Sequence, residues 1–249
     1  MNQVKYITKI KEHEGKFKRF MGIKTFPQYT VYTKEVSFWI ADSQGYDSAA
    51  VTHYDIQSNS HTLTISTNLT LCEYLMFHEF VHMLDSELYV KNDKTRYLGL
   101  SGFTEYHASQ IELLALLGMN SINDKPSFSM DTIVHTFSGD KSVRQYISEK
   151  QQHAIELFSR SDFPSSIETL KSSFGVLYNY WGLRSICEMY ATDYTENVQN
   201  QSFLNYFPTD VFVLLNRLMR GWLNDSAIEK SIPLYANMLI KLAKEYKLV

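Results

Sequence analysis

Residues 73–89 read EYLMFHEFVHMLDSELY, and this run constrains the fold more than any other stretch. Apolar side chains dominate it at helical spacing, so the chain forms a helix here and packs it inside the protein. Into that setting the run carries His78, Glu79 and His82. An unpaired carboxylate beside Phe77, Phe80 and Val81 is costly to bury. A fold that keeps this helix has to supply partners for all three polar groups at once.

Positions four apart share one face of a helix. His78 and His82 therefore present two imidazoles side by side, with Glu79 on their flank. Zinc takes histidine nitrogen at about 2.0–2.1 Å, and catalytic zinc sites combine three protein ligands with a position for water. The HExxH spacing thus points to one bound Zn2+, with Glu79 as the general base acting on water. Ordinary hydrogen bonds would satisfy the histidines but would leave the carboxylate unexplained.

A third ligand has to come from elsewhere. Asp85 shares the histidine face, but seven residues of helix rise about 10 Å, too far for one ion. Asp85 better suits a hydrogen bond to the far nitrogen of a ligand imidazole. The segment TEYHASQIELLALLG, residues 104–118, reads as a second helix, stopped near Gly118. Glu105 opens it, directly after the glycine-containing polar loop KNDKTRYLGLSG at 91–102. Glu105, Ala108, Ser109 and Glu112 share a face, with small residues where two helices must approach closely. Glu105 is the preferred third ligand. His107, on another face, is the alternative by the ligand chemistry of zinc.

The rest of the chain frames this pair of helices. Residues 3–21 fit an amphipathic helix, and KIKEHEGKFKR within it reads as a solvated face. YTVYT at 29–33 and VSFWIAD at 36–42 read as strands. AAVTHYDI and HTLTIST, joined by QSNS, read as a hairpin with His53 and His61 on its surface. Thr70 and Glu73 have capping-box spacing, which places the helix start near Thr70 or Leu71. NSINDKPSFSMD at 120–131 reads as a linker and the best subdomain boundary. Beyond it the chain looks all helical, with helices near 141–160, 165–190, 208–223 and 226–246.

Composition excludes some functions. A net charge of −3 gives no reason to expect nucleic acid or an anionic membrane as partner. Two cysteines, Cys72 and Cys187, are too few for a disulfide framework. The lysine-studded first twenty residues lack the apolar core of a signal peptide, and no run reaches membrane-spanning length. The expectation is a soluble, cytoplasmic protein whose partner is a peptide or protein substrate. The oligomeric state is left open.

HEFVHMLD followed by TEYHASQIE resembles the gluzincin zinc metallopeptidases, in which an HExxH helix precedes a second helix that supplies a glutamate. The nearest-looking branches, Mtf-type and lethal-factor-type peptidases, have HExxHxxD and then a Glu-x-x-Ala helix. A looser likeness is to ImmA/IrrE-type peptidases, whose alignment would put His107 at the glutamate position. The likeness covers roughly residues 36–118 and leaves 119–249 unmatched. It implies zinc ligands at His78, His82 and Glu105, the base at Glu79 and the supporting carboxylate at Asp85. Such families often add a tyrosine or histidine that stabilises the oxyanion, and Tyr97 is the first candidate here, with Tyr106 behind it.

The expected fold is α+β. A zincin-like catalytic region, residues 1–120, holds a small twisted sheet against the HExxH helix, and a helical subdomain, 121–249, follows. The cleft lies between them, with the strand HTLTIST as the edge that receives an extended peptide. The implied function is zinc-dependent hydrolysis of peptide bonds. The alternative is a regulatory protein-binding module that keeps the metallopeptidase core with slow or no turnover.

Overall fold

A computed structural model describes residues 3–34, 50–67, 71–196 and 202–248. The fold is α+β, mostly helical, with two small sheets. Helix α1 (Gln3–Met21) leads into strand β1 (Tyr29–Lys34). Strands β2 (Ala50–Asp55) and β3 (Ser60–Ser66) form the expected hairpin. The strand expected at 36–42 and the capping residue Thr70 lie outside the described residues. Helix α2 (Glu73–Tyr89) starts after Cys72, whose side chain makes no cap bond.

The sheet order corrects the expected peptide edge. β3 lies in the middle, parallel to β1 on one side and antiparallel to β2 on the other. Its ladder groups are taken on both sides, so HTLTIST cannot receive a further strand. Among the described residues β2 stands at an edge instead, and it packs against α2. On β3, His61, Leu63 and Ile65 turn inward with the expected alternation. Phe17 and Phe20 of α1 pack on Phe77 of α2, and Phe17 also meets Phe80.

Two surface expectations also fail. His61 is buried beneath the Tyr54 ring, and His13 of α1 is buried rather than solvated. His61 Nε2 has Glu87 at 3.5 Å and His13 Nδ1 has Glu73 at 3.8 Å. Burial outweighs these carboxylates and holds both imidazoles below their ordinary pKa. The unfolded chain protonates both near pH 6.5, while the folded chain resists to lower pH. Their contribution to stability is therefore complete above about pH 6.5 and declines as pH falls toward the folded values. The measurement is the urea midpoint at pH 7.5 and pH 5.5. The drop is expected to be smaller in His13→Gln/His61→Gln than in wild type, a comparison that cancels the other titrating groups.

Helix α3 (Lys94–Leu116) begins much earlier than its sequence suggests. Asp93 caps it, accepting from the backbone N–H groups of Thr95 and Arg96. The stretch expected as a flexible loop is thus mostly helix, and Glu105 sits in mid-helix. Gly99 and Gly102 serve close packing. A Cβ at Gly99 would meet the carbonyl oxygen of Ile232 at 2.1 Å, and one at Gly102 the Tyr178 ring at 3.0 Å. The absence of a Cβ at these positions lets α3 seat against helix α5 (Ile167–Tyr190) and helix α7 (Asp225–Glu245), and α3 also packs on α2.

After Gly118 the chain is not wholly helical. Strands β4 (Ile133–Thr136) and β5 (Gly139–Ser142) form a short hairpin before helix α4 (Val143–Phe158). The backbone N–H of Phe137 at its tip donates to Tyr74 of α2. Helix α6 (Thr209–Leu218) is shorter than expected, and Pro208 caps it from outside. One apolar core runs through both halves of the chain, from Phe17 and Leu63 to Trp181 and Leu239. Among the described residues no helix is long and apolar enough to cross a membrane.

Candidate metal centre

Helices α2 and α3 pack antiparallel, so that His78 meets Glu112 at one end and Tyr89 meets Phe103 at the other. The helical repeat puts His78 and His82 on one face of α2, their ring centroids 4.8 Å apart. Glu105 enters from α3. Its Oε2 is 3.6 Å from His78 Nε2 and 3.8 Å from His82 Nε2. Among the described residues, these three form the group whose ligand atoms lie within 4.8 Å of one another. The structure thus brings Glu105, and not His107, to the histidine pair.

The far ring nitrogens are held in turn. His78 Nδ1 is 2.6 Å from Glu112 Oε2, and Glu112 Oε1 accepts from the Tyr146 hydroxyl. His82 Nδ1 is 2.9 Å from the Thr104 hydroxyl. With Nδ1 engaged, each imidazole turns Nε2 toward Glu105, which fits metal ligation through Nε2. Burial disfavours the imidazolium of His78, but Glu105 and Glu112 together overcome it and raise its pKa. Burial works against ionised Glu105 as well, and His82, His78 and Asn179 prevail and keep it ionised. A cation at this point would take over the role that the His78 proton plays between the carboxylates.

Glu79 lines the cleft beside the pair, and its backbone oxygen accepts from Thr52 of β2 at 3.2 Å. Burial raises its pKa, against the pull of His82 and His78. A more basic carboxylate next to the imidazoles is the right kind of group to receive a proton. Tyr97 lines the same cleft, from the first turn of α3 rather than from a loop, with its ring 5.9 Å from that of Tyr54. Tyr106 is buried elsewhere, donating to the Gly221 carbonyl.

Asp85 does not stand behind a ligand imidazole. It lies farther along α2 and meets His107, whose Nδ1 is 3.0 and 3.2 Å from its two oxygens. His82 already has Thr104, so no ligand nitrogen remains for Asp85. His107 stacks on Phe103 and faces Trp222, away from the pair. The carboxylate that does stand behind a candidate ligand imidazole is Glu112. It lies two turns beyond Glu105 on the same face of α3, so following that face past the ligand would have found it. Thr104, next in sequence to Glu105, carried no comparable signal. Glu112→Gln is expected to weaken zinc affinity about 10–100-fold, by the usual effect of losing such a partner. Competition with a chromogenic chelator measures it.

The cleft has a volume of about 530 Å³. Its walls are β2, the facing parts of α2 and α3, the tip of the β4–β5 hairpin, and the sides of α4 and α5. It lies between the first half of the chain and the later helices, as expected. Comparison with known proteins adds no relative to this geometry: no protein-family model, curated protein or solved structure matches the chain.

Proposed function

We propose that the chain is a zinc-dependent peptidase of gluzincin type, with a zincin-like core. One observation carries the reading: two Nε2 atoms and one carboxylate oxygen converge, while Glu79 opens on the same cleft. His78, His82 and Glu105 would hold the ion. Zinc bound there would supply polarisation of the scissile carbonyl and a lowered pKa for water. Glu112 and Thr104 fix the two imidazoles so that Nε2 faces inward. Glu79 takes a proton from water at its carboxylate and passes it to the nitrogen of the departing amine. Tyr97, on the cleft wall, is the candidate donor to the oxyanion.

In this reading residues 1–120 supply the ligands and the base, and 121–249 supply the opposite wall. An extended peptide would lie along β2, whose edge borders the cleft through Ala50, Val51 and Thr52. The test is cleavage of a peptide library by the protein as purified, after chelation, and after zinc is restored. The reading expects cleavage that chelation removes and zinc returns. Stoichiometric zinc with no cleavage of any peptide would favour the protein-binding module instead.

A further inference from the structure

The charges along the cleft are unevenly placed. Apart from the groups clustered at the candidate ligands, its charged side chains are Lys150 of α4 and Lys171 of α5. His153, one turn beyond Lys150, adds an imidazole to the same wall. The β2 residues in its lining, Ala50, Val51 and Thr52, carry no charge of their own. Among the described residues, neither lysine has a carboxylate within ion-pair distance. Lys150 lies over the Tyr146 ring and its charge acts on Glu112, but Glu112 takes its hydrogen bonds from His78 and Tyr146, and Glu105 is directed toward the two Nε2 atoms.

Each lysine lies one helical turn from a residue that touches Glu112 or Glu105. Lys150 is one turn beyond Tyr146, which holds Glu112. Lys171 is one turn before Gly175, where a Cβ would stand 3.6 Å from Glu105 Cγ. α5 therefore passes within van der Waals reach of the Glu105 side chain at Gly175. A turn rises about 5.4 Å, so each lysine lies a short way along the cleft wall from those contacts.

We infer that the peptide taken by this cleft carries a carboxylate close to its scissile bond, on the side that faces α4 and α5. This rests on the peptidase reading above. The carboxylate is an Asp or Glu side chain, or the free C-terminus of the peptide. The two lysines receive it, while the uncharged wall at β2 accepts the opposite side of the chain.

The test uses matched peptides that differ by Glu, Gln or Lys at each position flanking the cleaved bond, with free or amidated C-termini. Cleavage is followed with wild type. Binding is followed by fluorescence polarisation with zinc-loaded Glu79→Gln, so that affinity is read without turnover. Acidic peptides are expected to be favoured about tenfold over their Gln counterparts, the scale of a partly exposed ion-pair contact made by two lysines. The preference should shrink at 0.5 M salt and vanish in Lys150→Glu/Lys171→Glu, while Lys244→Glu on α7, outside the cleft, keeps it. Lys171 is exposed, so Lys171→Glu alone carries the test if the double variant does not fold.

A preference for internal Glu that survives amidation identifies the side chain, and one confined to free C-termini identifies the terminal carboxylate. Equal handling of Glu, Gln and Lys peptides by both assays overturns the inference and leaves the peptidase reading standing. Lysine-dependent binding of acidic peptides without any cleavage removes the peptidase reading and keeps the acidic ligand. Absence of any peptide binding overturns both.

Discussion

Glu79→Gln is expected to retain zinc and fold while losing hydrolysis by about 10²–10⁴-fold. The general base contributes about 10²–10⁴-fold in such reactions, and an amide cannot take the proton. Several features argue that the loss is chemical rather than structural. Glu79 is outside the convergent group of His78, His82 and Glu105; its backbone oxygen keeps its bond from Thr52, and a Gln side-chain oxygen can still accept from the same hydroxyl as the carboxylate does. Burial already disfavours the ionised carboxyl, so the neutral amide carries a smaller desolvation penalty than the carboxylate it replaces. Zinc content, thermal stability and single-turnover cleavage of the same preparation check the result. A variant that turns over at the wild-type rate excludes Glu79 as the base.

The second large effect separates Glu105 from His107. Glu105→Ala removes one of the three proposed ligands and is expected to weaken zinc binding strongly and to abolish cleavage. His107→Ala is expected to leave the ion in place, because His107 lies against Phe103, Trp222 and Asp85. Its cost falls on stability, since Asp85 is 1% exposed and loses its imidazole partner. About 1–3 kcal/mol is the expected penalty for a buried polar group left unsatisfied. Zinc titration and urea unfolding of the two variants distinguish these effects. Loss of zinc in His107→Ala with zinc retained in Glu105→Ala would reverse the ligand assignment.

The parts of this arrangement that were legible in the sequence are local ones. His78 and His82 are four apart on one helix, so their side-by-side placement follows from the helical repeat alone. Glu105 followed from the face it shares with small residues. What escaped depends on partners distant in sequence. Gly99 and Gly102 look like loop residues until Ile232 and Tyr178 press against them. The parallel pairing of β1 with β3 leaves no turn signature, so the sequence alone does not distinguish the centre of the sheet from its edge. Asp85 has the right spacing for His82, yet the register of α3 against α2 gives it His107. The strands Ile133–Thr136 and Gly139–Ser142 are four residues each, too short for a periodic signal to separate them from linker.

The central claim is that one zinc ion is held by His78, His82 and Glu105. X-ray absorption at the zinc edge of the wild-type protein tests it most directly. The expected spectrum has two imidazole nitrogens at about 2.0–2.1 Å and carboxylate or water oxygen completing a four-coordinate shell, with one nitrogen lost in His82→Ala. Sulfur at about 2.3 Å, or a zinc shell unchanged in His82→Ala, would contradict it.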